Sequence, residues 1–143
     1  MTFYGIILTT HIATAISLLL LMVYADHTAL RWFLGRTQTL SAKITKRLHL
    51  LVYSGLSIML CTGLYMFWPL QSYLLSLPAF QIKMTFVSAL LLNSVFISSH
   101  MHLATQNRFA DLSVKERLTL LLSGGLSSIA WVGAVAAATQ LGL

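Results

Sequence analysis

Seven ionisable side chains lie within or at the ends of long apolar stretches, and they are the residues of this chain most able to do chemistry. An ionisable group inside hydrocarbon costs about 3 kcal/mol or more, so such groups usually face the interior of a helical bundle and serve a function. Imidazole nitrogens ligate haem iron and transition metals, carboxylates ligate metals, and ammonium groups pair with carboxylates or relay protons. The seven are His11, Asp26, His27, His49, Lys83, His100 and His102.

The elements that must position these residues are membrane-spanning helices. Charged residues make up 8% of the chain and hydrophobic residues 57%, whereas soluble domains carry roughly 25% charged residues. Four apolar stretches are each long enough to cross a hydrocarbon core, which takes about 20 helical residues. We predict an all-α, polytopic membrane four-helix bundle that forms a single domain over residues 1–143, with spans at about 3–26, 46–69, 80–104 and 115–141.

The net charge of +6 is explained by membrane topology without any nucleic-acid partner. Eight of the nine basic residues lie in or beside the first and third loops, and only Lys83 lies on the other side. The positive-inside rule then places those loops in the cytoplasm and both termini outside. We expect an integral protein of a bacterial inner membrane.

The two halves of the chain resemble each other. The segment Ser54–Ser57 recurs as Gly124–Ser127, and Gly63 recurs as Gly133 in the same register. When the halves are aligned with a slightly larger offset, His11 falls opposite Lys83. This pattern predicts two repeated helical hairpins.

Counting residues from the loop centres sorts the ionisable side chains into two layers. Asp26, His49 and His100 lie ten to twelve residues from the basic loops, which places them in a layer near the cytoplasmic interface. His11 and Lys83 lie at a matching depth nearer the other surface. We call the layer with His11 the outer layer and the layer with Asp26 the inner layer. The helical period puts each of these five toward the bundle interior, together with Asn93, and turns His27 outward.

The outer layer predicts a haem site, because a neutral imidazole aimed into an apolar bundle is a natural axial ligand of haem iron. His11 is the first-choice ligand for haem b, and His49 or His100 takes that role if the group lies near the cytoplasmic layer instead. Lys83 and Arg47 supply cations for carboxylates of haem or substrate. Small residues on the fourth span leave space for a planar ligand.

Two other classes of function are compatible with the same residues. Asp26, His49 and His100 provide mixed nitrogen and oxygen ligands for a divalent transition metal, and His11, Asp26 and Lys83 could relay protons or ions. A purely structural accessory subunit is the third class. Dinucleotide, ATP and serine-hydrolase chemistry lack their motifs, since the chain contains no G-x-G-x-x-G, P-loop or G-x-S-x-G sequence.

Three short segments resemble a known family. His11-Ile12 in the first span, Lys46–Leu48 at the start of the second and Phe80–Lys83 at the start of the third are similar to the membrane-embedded, haem-associated protoporphyrinogen IX oxidase family. The copper-resistance D membrane proteins share this layout, and the segment Gly124–Trp131 resembles one found in small uncharacterised four-span bacterial membrane proteins.

The resemblance implies that His11 is a haem-linked histidine, and that Arg47 and Lys83 match the second-helix arginine and third-helix lysine of the family. Thr14–Ser17 replaces the family's aromatic-Ala-Gly segment, and Asp26 and His49 have no clear counterpart in it. We therefore predict a small integral membrane haem b-binding redox protein that acts on a porphyrin or a quinone. The lipid bilayer is its expected surrounding, and a homo-oligomer is left open.

Overall fold

The chain folds into four long helices and one short one. The computed structural model describes residues 2–141, and every regular element in that range is helical. The helices are α1 (Phe3–Phe33), α2 (Ala42–Phe67), α3 (Gln71–Ser76), α4 (Pro78–Gln106) and α5 (Val114–Gln140), with 3-10 turns at Trp68–Leu70 and Phe109–Asp111. All except α3 are long and apolar enough to cross a membrane, so the protein is an integral membrane protein of four spans.

The bundle is built from two antiparallel hairpins. Helix α1 packs closely on α2 and α4 on α5, whereas the contacts of α2 with α4 and of α1 with α5 are sparser. Large apolar side chains cover the outside, with Leu20 65% and Leu92 74% exposed. Such exposure suits a bundle in lipid, because hydrocarbon tails are as apolar as leucine and helices associate there through close packing and polar contacts. The predicted all-α four-helix bundle is confirmed.

Helix α1 is longer than the predicted span, which ended near residue 26. It continues to Phe33 because Trp32 is 2% exposed and packs edge-on against Phe109 with ring centroids 5.2 Å apart. The Trp32 indole N–H donates to the carbonyl of Asn107 at 3.2 Å. The extra two turns therefore belong to a cluster that joins the two basic loops. We call this side of the molecule, with loops 34–41 and 107–113, the basic end, and the side with residues 68–77 the opposite end.

The start of α5 is fixed by local hydrogen bonds, as the Ser113-x-x-Glu116 pattern predicts. The Ser113 side chain accepts from the backbone N–H of Glu116, and the Glu116 carboxylate accepts from the backbone N–H of Ser113 at 2.9 Å. Arg117 then holds the preceding loop by donating to the carbonyl of Leu112 at 2.9 Å and by covering the Phe109 ring.

The two hairpins share a contact between a ring and a glycine. The alignment of the two halves that this contact gives differs from the one predicted. In each hairpin a ring from the first helix lies over a glycine of the second: His11 over Gly63, and Phe86 over Gly133. His11 is as far from the start of α1 as Phe86 is from the start of α4. The structural counterpart of His11 is therefore Phe86 rather than Lys83.

Candidate ligand-binding site

The centre of the outer layer is a hydrogen bond between His11 of α1 and Thr62 of α2. The His11 Nδ1 atom lies 2.7 Å from Thr62 Oγ1, and that hydroxyl donates its own proton to the carbonyl of Ile58 at 2.7 Å. With the hydroxyl proton given to that carbonyl, the tautomer that fits both contacts has His11 Nδ1 donating to Thr62 Oγ1. The neutral imidazole then carries its lone pair on Nε2, which is the state of a histidine ready to ligate iron or another electrophile.

The surroundings of His11 combine close packing on α2 with a positive charge. The ring packs against α2 at Gly63, where a β-carbon would lie 3.4 Å from the His11 Cε1 atom, at ordinary contact distance. The half-buried Lys83 of α4 is within electrostatic range of the ring. The chain's three acidic residues all lie toward the basic end. Within residues 2–141, no aspartate or glutamate side chain is therefore placed to neutralise Lys83, and its ammonium can pair with an anionic group of a ligand.

Sequence reasoning missed two residues of this layer. Thr62 is buried and orients His11, and Met66 is buried one turn further along the same face of α2. The packed hairpin places Thr62 level with His11 and Met66 about one turn nearer the end of α2. Which face of α2 points to His11, however, depends on the packing of the hairpin.

Arg47 and the other histidines lie too far along the bundle to share a group with His11. Arg47 is exposed and stands about four turns before Thr62 on α2, which corresponds to about 22 Å along the helix axis. His49 precedes Thr62 by a slightly smaller separation, or about 20 Å. The structure therefore separates Arg47 from Lys83, although both were expected to contact carboxylates of haem or substrate.

The buried Asn93 and the half-buried Asp26 already have hydrogen-bond partners within the bundle. The Asn93 side chain, 5% exposed, donates to the Ser123 carbonyl at 2.8 Å and to Ser127 Oγ at 2.6 Å, and it accepts from Ser123 Oγ at 2.7 Å. Asp26 accepts from Ser128 Oγ at 3.0 Å. Asn93 thus joins α4 to α5, and Asp26 joins α1 to α5. These contacts tie helices together in lipid.

The histidines of the inner layer do not converge on one point with Asp26. His49 lines a cleft between α2 and α4 together with His102, which is exposed. The His100 ring instead lies 4.4 Å from the Phe96 ring of its own helix, and its Nδ1 is 3.0 Å from the Phe96 carbonyl oxygen.

The alternative of a metal site receives no support from this arrangement. Among residues 2–141, no group of three or more histidine, cysteine, aspartate or glutamate side chains could hold a metal ion. The metal ligand set of Asp26, His49 and His100 is not among such groups in this part of the chain and stays a prediction. His27 is exposed, as the helical rotation predicts.

A wider groove of about 610 Å³ runs along the lipid-facing side of α1 and α2. Several of its hydroxyl groups are used within their own helices, since Thr10 donates to the Ile6 carbonyl at 2.8 Å and Ser17 to the Ala13 carbonyl at 2.9 Å. Leu18 fills the gap above Gly55, where a β-carbon would lie 2.6 Å from Leu18 Cδ2. The groove contains no ionisable side chain among its lining residues, so the candidate chemistry stays with the His11 layer.

The chain was compared with protein-family models, curated proteins and solved structures. No protein-family model, curated protein or solved structure matches the chain. The resemblance to haem-associated membrane proteins, which three short segments of this chain carry, stays a prediction. The geometry around His11, Thr62 and Lys83 is the arrangement on which a function can be built.

Proposed function

We propose that the protein is a small integral membrane haem b-binding redox protein in which the His11 imidazole would hold the haem iron. The observation that carries the proposal is the His11–Thr62 hydrogen bond of 2.7 Å. It anchors Nδ1–H and leaves Nε2 as the ligating atom, and a hydrogen bond to the second ring nitrogen is the usual support of a metal-bound histidine.

The neighbouring residues fit the same group. Among the described residues, no acidic side chain lies at the end of the bundle that holds Lys83, and this lysine would pair with a haem propionate. Met66 is buried on the face of α2 that carries Thr62, and a thioether is a known second axial ligand beside histidine. Bound haem b would supply one-electron transfer. The chain's own residues orient the imidazole, hold the propionate and exclude water.

Membrane placement follows from charge. We place the protein in a bacterial inner membrane with the basic loops in the cytoplasm and both termini outside, by the positive-inside rule. The His11 layer then lies in the outer half of the bilayer. A quinone or a porphyrin is the proposed redox partner, since both partition into the lipid around the bundle.

The first test is a visible absorption spectrum of the mildly solubilised protein, expressed with ample haem, before and after dithionite. We expect a Soret band and sharpened α and β bands on reduction. His11→Ala should abolish these bands. The matched variants His49→Ala and His100→Ala should keep them, because both imidazoles lie in the other layer.

The supporting residues give a graded result. Thr62→Val keeps the shape of the side chain but removes the acceptor for Nδ1–H, and such changes lower metal affinity about 10- to 100-fold. Met66→Leu should change the reduced spectrum only if the thioether is a ligand. A flat spectrum of the haem-supplied protein refutes haem binding. Loss of the bands in His49→Ala or His100→Ala with retention in His11→Ala would move the ligand to the inner layer.

A further inference from the structure

A second polar cleft lies between α2 and α4 near the basic end, about 20 Å along the helices from the His11 layer. It has a volume of about 350 Å³. Two facing stripes of side chains at helical spacing form its walls. From α2 these include Thr45, Lys46, His49 and Tyr53, and from α4 they include Ser98, Met101, His102 and Thr105.

The polar groups of the cleft are only partly used by the protein. The Tyr53 hydroxyl donates to the Ser94 carbonyl at 3.2 Å, and the Thr105 hydroxyl donates to the His102 carbonyl at 3.2 Å. The His102 Nδ1 atom lies 3.2 Å from the Ser99 carbonyl oxygen. A carbonyl only accepts, so His102 Nδ1 carries the proton and Nε2 of the neutral ring is an acceptor. The Lys46 ammonium and the His49 ring remain as donors for a ligand.

The charge around the cleft favours an anion. Lys46 lines it, and Lys43 and Arg47 lie in the same first turns of α2. The acidic residue that interacts electrostatically with His102 is Glu116, and its carboxylate is held by the N–H and hydroxyl of Ser113. A divalent cation is disfavoured, because an ammonium lines the cleft and none of its described lining residues is acidic.

The depth of the cleft matches the boundary between headgroups and acyl chains. Its lining begins at Ala42, the first residue of α2, and reaches Tyr53, which is about 16 Å along the axis. Lys46 and His102 lie toward the helix ends, His49 lies about one turn further in, and the Tyr53 ring provides apolar surface deeper still. Basic pockets between membrane helices are known sites for anionic lipid headgroups.

We infer that this cleft binds an anionic phospholipid whose headgroup carries a phosphate and free hydroxyls. Lys46 pairs with the phosphate, and His49 donates an N–H to it. A headgroup hydroxyl donates to His102 Nε2 on the opposite wall. The acyl chain next to the phosphate runs down the apolar part of the cleft.

The test is native mass spectrometry of the protein in a neutral detergent, titrated with dioleoylphosphatidylglycerol, dioleoylphosphatidic acid or dioleoylphosphatidylcholine. The wild type should bind phosphatidylglycerol most tightly and phosphatidylcholine least. Lys46→Gln should weaken binding of both anionic lipids at least about fivefold, the size expected for one basic residue near a membrane surface. Lys43→Gln is the matched control, because Lys43 is exposed one turn earlier and does not line the cleft. It should change the Kd less than twofold.

His102→Leu separates headgroup recognition from charge. It should lower the preference for phosphatidylglycerol over phosphatidic acid while leaving phosphatidic acid binding within about twofold, since only the former lipid has alcohol hydroxyls beyond the phosphate that reach the opposite wall. Equal effects of Lys43→Gln and Lys46→Gln would overturn the proposal in favour of diffuse charge. Phosphatidylcholine binding as tight as phosphatidylglycerol would also overturn it. Inorganic phosphate that displaces the lipid at equal concentration would assign the cleft to a free anion instead.

Discussion

Replacing Gly133 by alanine should destabilise the second hairpin. A β-carbon there would lie 2.4 Å from Cε2 and 2.5 Å from Cζ of Phe86, whereas carbon atoms in contact stay about 3.5–4.0 Å apart. The ring must therefore move by about 1 Å or α4 and α5 must separate, and overpacking of this kind costs about 1–3 kcal/mol. Alanine also raises helix propensity by up to about 1 kcal/mol relative to glycine, which offsets part of the cost.

Gly124→Ala provides the matched control, because a β-carbon at Gly124 meets nothing within 4 Å. The gain in propensity is common to both variants, so the difference between their free energies of unfolding isolates the steric cost. We expect Gly133→Ala to be less stable than Gly124→Ala by about 1–3 kcal/mol, measured by equilibrium unfolding in mixed micelles with increasing dodecyl sulfate. The double variant Phe86→Leu/Gly133→Ala should recover part of the loss. Equal stability of the two alanine variants would refute the close approach of the ring to α5.

Three further predictions test the hydrogen bonds of Asn93, the N-terminal cap of α5 and the orientation in the membrane. Asn93→Ala removes three hydrogen bonds and should lower the free energy of unfolding by about 2 kcal/mol, at about 0.6 kcal/mol for each such bond in a membrane protein. A double-mutant cycle with Ser123→Ala should show coupling, and the absence of coupling would contradict the hydrogen bonds between Asn93 and α5. Ser113→Ala should cost about 1 kcal/mol in the same assay, because the cap of α5 is lost, and an unchanged midpoint would argue against that cap. Thr39→Cys in a Cys61→Ser background should react with a membrane-impermeant maleimide only after the cells are opened, whereas labelling of intact cells would reverse the proposed orientation.

Some features of the candidate site could be predicted by counting residues along the sequence, and others could not. Depth along the membrane is additive in residue number, so His11 and Lys83 could be assigned to one layer before any packing was known. The hydrogen-bond partner of His11 could not be assigned by counting, because the rotation and crossing of α1 and α2 decide that Thr62 faces it. The same reason explains why His102, and not His100, lines the cleft with His49: the two positions lie on nearly opposite faces of α4, and only the packed bundle selects the one that meets α2.

Local patterns in the chain were enough to predict the class of the protein, the number of spans and the cap at Ser113, since hydrophobicity and capping depend on neighbouring residues. The helical period also predicted that His27 faces outward while Asn93 faces inward, because it orders polar groups within one span. The contacts between spans came only from the packed bundle: the hydrogen bond that prepares His11, the extension of α1 to Phe33, and the glycine beneath Phe86. In lipid every apolar face is equally soluble, so close packing and polar pairing between helices, rather than hydrophobicity, select which faces meet.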